Sequence, residues 1–378
     1  MPEQDRGFEG LSGGTAGQGR GGEVGHGGGD GYGGGLGYGA GDGYGGGVGT
    51  ATVDAPASAA PRKQSRRRGP FGWLASILGW SALLVGLAGV GLHYNRWETL
   101  SLVLAASFAA QLMAASLVAL VLFAVARQWR SAIAAVVVIA AALWSQLPMM
   151  WPDGTAPAGV DVTVMQSNLL FGKADADSVV QAVRDSGVEV LTLEELTPEI
   201  LERLRRAGLG DVLPYDFTQA SPGGGGTAIF SRYPLQDGVK FDGFSMNQLR
   251  ATMIHPSRGR VTVFAFHPIP PNVDFAAWQH ELRRIRELLD EQTGQVIVGA
   301  DFNSTYDHAL YRDLLNGRYA DSAELVGVGV LPTFPEDQWW GPIIGIDRVL
   351  VAGGHATEVR SLTIRDSDHR AVVARLRL

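Results

Sequence analysis

The stretch Ile297–Asp307, IVGADFNSTYD, decides how the second half of this chain is read. An apolar run, Val296 to Val298, meets Gly299 and Ala300, and Asp301, Phe302 and Asn303 follow. Residues two apart on a strand face the same way. Asp301 and Asn303 are therefore expected to project together where a buried strand ends, aiming a carboxylate and an amide at one point.

The same grammar repeats on both sides. VTVMQSNLL, VEVLTLEEL, GGTAIFSRYP, the pair within RATMIHPSRGRVTVFAFHPIPP, IDRVLVAGG, TEVRSLTI and HRAVVARLRL read as strands. DADSVVQAVRDSG, TPEILERLRRAG and DFAAWQHELRRIRELLDEQTG read as amphipathic helices, with Thr197 as an N-cap and Pro198 in the first turn. Mixed strands with helices outside predict a layered α/β sandwich over residues 161–378.

Polar residues recur where these strands stop: Asn168, Glu195, His267, Asp301 with Asn303, Asp347, and Asp368 with His369. Singly, each is an ordinary turn, cap or packing residue. Their shared position predicts one acidic pocket holding two histidines. Glu195, Asp368 and the Asn168 amide offer hard oxygen ligands suited to Mg²⁺, Mn²⁺ or Ca²⁺. With no cysteine in the chain, zinc fits less well, and disulfides and thiol nucleophiles are excluded. His369 is expected to transfer a proton or to donate to a phosphoryl oxygen, with Asp347 fixing its tautomer. No G-x-S-x-G elbow supports serine hydrolysis. Glu194, by alternation with Glu195, is expected to face away from the pocket.

The first half has a different composition. Residues 1–60 are rich in glycine, with 24, and are expected to be disordered, forming with the basic cluster from Arg62 to Arg68 a tail over residues 1–68. Residues 69–152 hold three apolar runs: Phe71–Tyr94, about Leu100–Ala126, and about Ser131–Trp151. Each matches the roughly 20 residues that cross a bilayer core. Trp73, Trp97, Trp129 and Trp151 lie near their ends, as interfacial anchors do. Basic residues before the first run, and Arg127 and Arg130 after the second, predict a cytoplasmic N-terminus. Three crossings then place everything after Trp151 outside. Residues 153–160 read as a linker that, with its flanking residues, spans at most about 35 Å and keeps the domain near the outer leaflet.

The ordered set QSNLL, LTLEEL, GTAIFSRYP, FHPIPP, GADFNST, IDRVLV and SDHRAVVARL resembles the endonuclease/exonuclease/phosphatase superfamily across residues 161–378. The resemblance implies a four-layered α/β sandwich with its site at one end of two packed sheets. It implies Glu195 as principal metal ligand, with Asn168 near metal and phosphate and Asp368 beside the metal. Asp301 would position or deprotonate the attacking water, Asn303 would orient it, and His369, partnered by Asp347, would contact the scissile phosphate. His267 matches a second phosphate-facing histidine, and Arg250 a further phosphate contact. Mg²⁺ or Mn²⁺ is the implied cofactor. The three-run anchor also resembles VanJ-type teicoplanin-resistance proteins of actinobacteria, which would make undecaprenyl pyrophosphate a substrate candidate and glycopeptide resistance the role.

Fold alone does not select among the superfamily's phosphate esters. From Asp153 onward about 21 Lys and Arg face about 30 Asp and Glu, an acidic balance. Nucleic acid, which calls for a basic footprint, fits less well than a lipid phosphate or pyrophosphate in the bilayer. An extracytoplasmic nuclease or other phosphodiesterase stays as the alternative, and a catalytically silent envelope-binding module as a third. The segment LPTFPEDQWWGPIIGID sets Trp339, Trp340, Ile343 and Ile344 just before Asp347. These side chains either pack beneath a loop or meet lipid.

Overall fold

The computed structural model describes residues 41–42, 46, 70–96 and 99–378. The rest of the glycine-rich tail and the basic cluster, with the expectations placed on them, lie outside these.

Two six-stranded sheets carry the second half of the chain. The first runs β11 (His355–Thr363), β12 (Arg370–Arg377), β1 (Asp161–Asn168), β2 (Val190–Glu194), β4 (Thr227–Ser231), β3 (Tyr215–Gln219). The second runs β5 (Leu235–Phe241), β6 (Gln248–His255), β7 (Gly259–Phe266), β8 (Gln295–Asp301), β10 (Asp347–Ala352), β9 (Tyr319–Asp321). The sheets face each other across one apolar core that includes Val164, Val190, Ile229, Val263 and Val349. A second core lies on the outer face of the first sheet, beneath α5 (Ala176–Ser186), α6 (Pro198–Arg206) and the short α7 (Leu209–Val212). On the second sheet, α8 (Phe275–Asp290) and α9 (Ala309–Leu314) bury Trp278, Ile285, Leu289 and Tyr311, and α10 (Ser322–Val326) follows β9. The helices begin where local chemistry allows. Asp175 caps α5, and Thr197 caps α6 with Pro198 at its first position.

The glycine of GADFN serves close approach rather than a turn. A Cβ at Gly299 would stand 2.1 Å from Thr192 Oγ1 on the facing sheet. The sheets thus approach closely beneath Asp301, and side chains from both reach one spot.

Ahead of the sheets stand α1 (Pro70–Tyr94), α2 (Leu100–Ala106), α3 (Ala109–Val125) and α4 (Trp129–Met150). Among the described residues, α1 and α4 are each long and apolar enough to cross a membrane. The expected continuous second run is instead two helices bent by 62°. Two features meet at the break. At Ser107 and Phe108 the bond pattern tightens, with Phe108 N–H donating to Ala105 O at 3.1 Å. The His308 ring enters there, its Nε2 2.9 Å from Val103 O and 3.3 Å from Ser107 Oγ. Val103 O still accepts from Ser107 N–H at 3.2 Å, so the ring adds a contact at the break without displacing that bond.

The described residues from Pro70 onward form one compact unit, so the domain does not hang on a free leash. Asp307 Oδ1 accepts from His93 Nδ1 of α1 at 2.7 Å and from Gln146 Nε2 of α4 at 2.8 Å. Met149 of α4 is buried within the domain's core, and Asp153 N–H donates to Leu325 O at 3.2 Å. The sequence reading missed this docking, although His93 and Gln146 stand out as polar residues inside otherwise apolar runs.

Candidate active site

Seven strands deliver polar side chains to the end of the sandwich above Gly299, with Glu195 following β2. β1 brings Asn168, whose Nδ2 donates to Glu195 Oε1 at 3.2 Å and to Asp301 Oδ2 at 3.1 Å. β8 ends in Asp301 and pairs with Asp347 at the start of β10. His369, just before β12, sets its Nδ1 2.9 Å from Asp347 Oδ2 and 3.9 Å from Asp301 Oδ2. His267, after β7, places Nε2 3.7 Å from Asp301 Oδ2 and 3.9 Å from Glu195 Oε1. Gln248 of β6 holds the His267 backbone through both its amide atoms. Asp368 Oδ1 lies 3.9 Å from His369 Nε2.

Two neighbours reach the site differently from the strand-alternation expectation. Asn303 is not on the strand. β8 stops at Asp301, and Asn303 takes a left-handed backbone, φ 47°. Its N–H donates to Asp301 Oδ1 at 2.9 Å and its Nδ2 to Pro268 O at 3.0 Å, tying the loop to the His267 segment. Glu194 does not face away. It lies on the inner face with Thr192, fully buried, and accepts from Gln166 Nε2 at 2.9 Å. Gln166 Nε2 also donates to Asp347 Oδ1 at 2.8 Å. Alternation fails because Glu195 has φ 56°, a costly conformation for a side chain with a Cβ, and this turn swings Glu195 back to the site. Phe171 N–H, also at positive φ, then fixes Glu195 Oε2 at 2.6 Å.

Arg250 is not brought to the cluster. It pairs with Phe264, which pairs with Val298, so all three share one sheet face. Asp301, three residues beyond Val298, is on the other. The Arg250 guanidinium stacks over Phe241 at 5.9 Å instead. A cavity of about 430 Å³ lies elsewhere too, between the ends of α1 and α2 and helix α8, and none of the clustered residues lines it.

The electrostatics are those of a crowded acidic site. Burial, and then the Asp347 charge, push the Asp301 carboxyl up to about 7. Burial works to lower His369, but the Asp347 and Asp301 carboxylates outweigh it and raise the imidazole to about 10. Burial likewise opposes ionisation of Asp347, and His369 reverses that and holds it below the usual carboxylate value. Burial, with His369 adding repulsion, drops His267 to about 4. Burial raises Glu195 and Asp368, and raises Glu194 far more.

Oxygen and ring-nitrogen atoms of Asp301, Asp347 and His369 lie within 4.8 Å of one another, close enough to hold a metal ion. His369 Nδ1 is already engaged by Asp347, so these two act first as a pair. Glu195, Asn168 and Asp368 lie around them, and Asp368 Oδ1 has no hydrogen-bond partner among the described residues. Buried carboxylates here outnumber their cationic partners, and all of the donors are hard oxygens or imidazole. That donor set fits a divalent cation of the Mg²⁺ or Mn²⁺ kind.

Residues 165–369 match the Endonuclease/Exonuclease/phosphatase family, over half of the chain. The chain belongs to this family. Members of the family hydrolyse phosphoester bonds, so hydrolase chemistry is the general assignment. No match was found among curated proteins. Several solved structures are similar. Humanized D. rerio TDP2 is 15% identical, over 58% of this chain and 99% of its own, with TM-score 0.49. A family protein from Beutenbergia cavernae is 19% identical, over 58% and 72%, with TM-score 0.46. The Bacteroides thetaiotaomicron mannosyl-6-phosphatase Bt3783 is 17% identical, over 57% and 100%, with TM-score 0.44.

Proposed function

We propose that this family member is a membrane-anchored, divalent-metal-dependent phosphohydrolase acting on a lipid phosphate or pyrophosphate at the outer membrane face. In this reading α1, α3 and α4 are three crossings, and α2 lies at the outer end of the bundle. What supports it is the loop from Phe302 to His308. It carries Asn303 at its catalytic end and Asp307 and His308 at the other, and those two residues grip the ends of α1, α2 and α4. A site held this closely to the end of an apolar bundle is built for substrate in or on the bilayer.

In the proposed mechanism Asp301, able to accept a proton near neutral pH, holds and deprotonates the attacking water, with Asn303 fixing the loop around it. The cationic His369, steadied by Asp347, donates to a non-bridging oxygen of the scissile phosphate and stabilises charge as it builds. His267, held neutral by burial, lines the opposite side. Glu195, with Asn168 and Asp368, would hold the metal, which supplies Lewis-acid neutralisation of phosphate charge. Likeness to the VanJ-type anchors makes undecaprenyl pyrophosphate the first substrate to try and glycopeptide resistance the role to test.

The test is phosphate release from undecaprenyl pyrophosphate by detergent-solubilised full-length protein with Mg²⁺, against the Asp301→Ala variant, with plasmid DNA in parallel. Metal-dependent release lost in the variant is the expected result. Cleavage of DNA alone would replace this reading with the nuclease.

A further inference from the structure

We propose that the segment between Leu331 and Ile346 is a membrane-inserting arm that seats Trp339 and Trp340 in the lipid surface and so sets the height of the catalytic cluster above it. The partner is the bilayer itself, and the proposal rests on the membrane-anchored reading above.

The arm's tip is not packed beneath anything. Trp339 is 91% exposed, Trp340 51% and Ile343 38%, and the two indoles meet edge to face at 5.4 Å. Large aromatic side chains adjoining on a surface mark an interaction site, and indoles in particular favour the membrane–water interface. The base, by contrast, is fixed. Phe334 and Ile344 form an antiparallel bridge, and Thr333 Oγ1 accepts from the N–H groups of Ile346 and Asp347. The Phe334 ring lies 4.8 Å from His369, and Glu336 N–H donates to Asp368 O at 2.7 Å. The base of the arm is therefore bonded and packed directly against the catalytic residues.

Its other attachment gives its level. Gln111 Nε2 donates to Ile343 O at 2.5 Å. Gln111 is the third residue of α3, within one turn of the end of that apolar helix. This is the same end of the bundle at which His93 and Gln146 meet Asp307. The tip thus stands beside the edge of the apolar zone, where exposed Phe108 also lies. The charge on the arm excludes an electrostatic mode. Glu336 is taken up by Arg370 at 2.7 Å, and Asp337 is acidic, so anionic headgroups would not attract the arm. Insertion is hydrophobic and insensitive to salt.

The chain has no cysteine, so a single introduced thiol can be labelled cleanly. An environment-sensitive fluorophore is placed at position 339 through W339C and, as a control, at exposed position 202 through E202C. Both full-length proteins are put into nanodiscs of phosphatidylcholine and phosphatidylglycerol. The expected result is quenching at 339 by nitroxide on the lipid chains, unchanged in high salt, and quenching at 202 only by aqueous iodide. Iodide access at 339 equal to that at 202 would overturn the arm, including the case in which its tip binds another protein. This readout needs no turnover, so it is independent of the proposed activity. Where turnover is found, the Trp339→Ala, Trp340→Ala double variant should raise KM for a bilayer-borne phosphate about tenfold or more. It should leave kcat/KM for a water-soluble aryl phosphate unchanged. Equal loss on both substrates would make the segment a scaffold for His369 and sink the proposal.

Discussion

His369 Nδ1 lies 2.9 Å from Asp347 Oδ2, although the stretch of chain between the two residues runs out through β11 and back. Asp347 starts the second sheet's strand β10 and His369 precedes the first sheet's β12, so this bond bridges the two sheets. It keeps His369 protonated well past neutrality.

Replacing Asp347 by Asn removes that charge and leaves burial to pull the imidazole toward its neutral form. Turnover should fall by about 10²–10⁴, the usual size of a lost acid–base group. Phosphate-release kinetics measure this, and circular dichroism checks that the sandwich persists.

His308 makes docking on the helices sensitive to acid. Its Nδ1 accepts from Thr305 N–H, so Nε2 carries the proton given to Val103 O, and only the neutral ring does both. Burial lowers it from 6.5 to about 4 in the folded protein. The unfolded chain therefore binds the extra proton first as pH falls. The His308 contribution is complete above about pH 6.5 and is lost between there and about pH 4. Its size is on the order of 3 kcal/mol. Thermal unfolding of wild type and His308→Leu at pH 7.5, 6 and 4.5 checks it, since the gap between them should close with acid. A constant gap would mean that the ring's proton plays no part.

Glu194→Gln should be well tolerated. Gln keeps an acceptor for Gln166 Nε2 and removes a carboxyl that burial holds far above its ordinary value of 4.5. Such a raised acid costs the wild type stability progressively as pH climbs past that value, so the variant gains on it from pH 5 to pH 8. Melting curves at the two pH values test the sign. Turnover should stay within about tenfold of wild type. A loss as deep as that of Asp347→Asn would give Glu194 a direct role instead.

Gly299→Ala drives a methyl group into Thr192, with Oγ1 at 2.1 Å and Cγ2 at 3.0 Å. Overpacking between two rigid sheets costs about 1–3 kcal/mol. Adding Thr192→Ala removes both atoms, and its hydroxyl has no hydrogen-bond partner among the described residues. The double variant should therefore recover most of the loss in a thermal melt, whereas additive losses would rule out this contact as the cause.

The sequence by itself carried the alternation of strands and helices, the strand-end positions of Asn168, Asp301, Asp347 and His369, and the apolar runs that became α1 and α4. Those features follow from local periodicity and from residue chemistry, which any stretch of chain expresses before it packs. Tertiary structure decided the rest. Whether Glu194 or Glu195 faces the cluster depended on one positive φ, which no pattern of apolar residues encodes. Arg250 fell on the wrong face because three strands had to pair in one register before its direction was set. The break between α2 and α3 meets a histidine 205 residues downstream of Val103, a contact that no local pattern announces. Contacts between such distant residues exist only once the sheets and helices are assembled, because the energies that fix them are made at the surfaces where those elements meet.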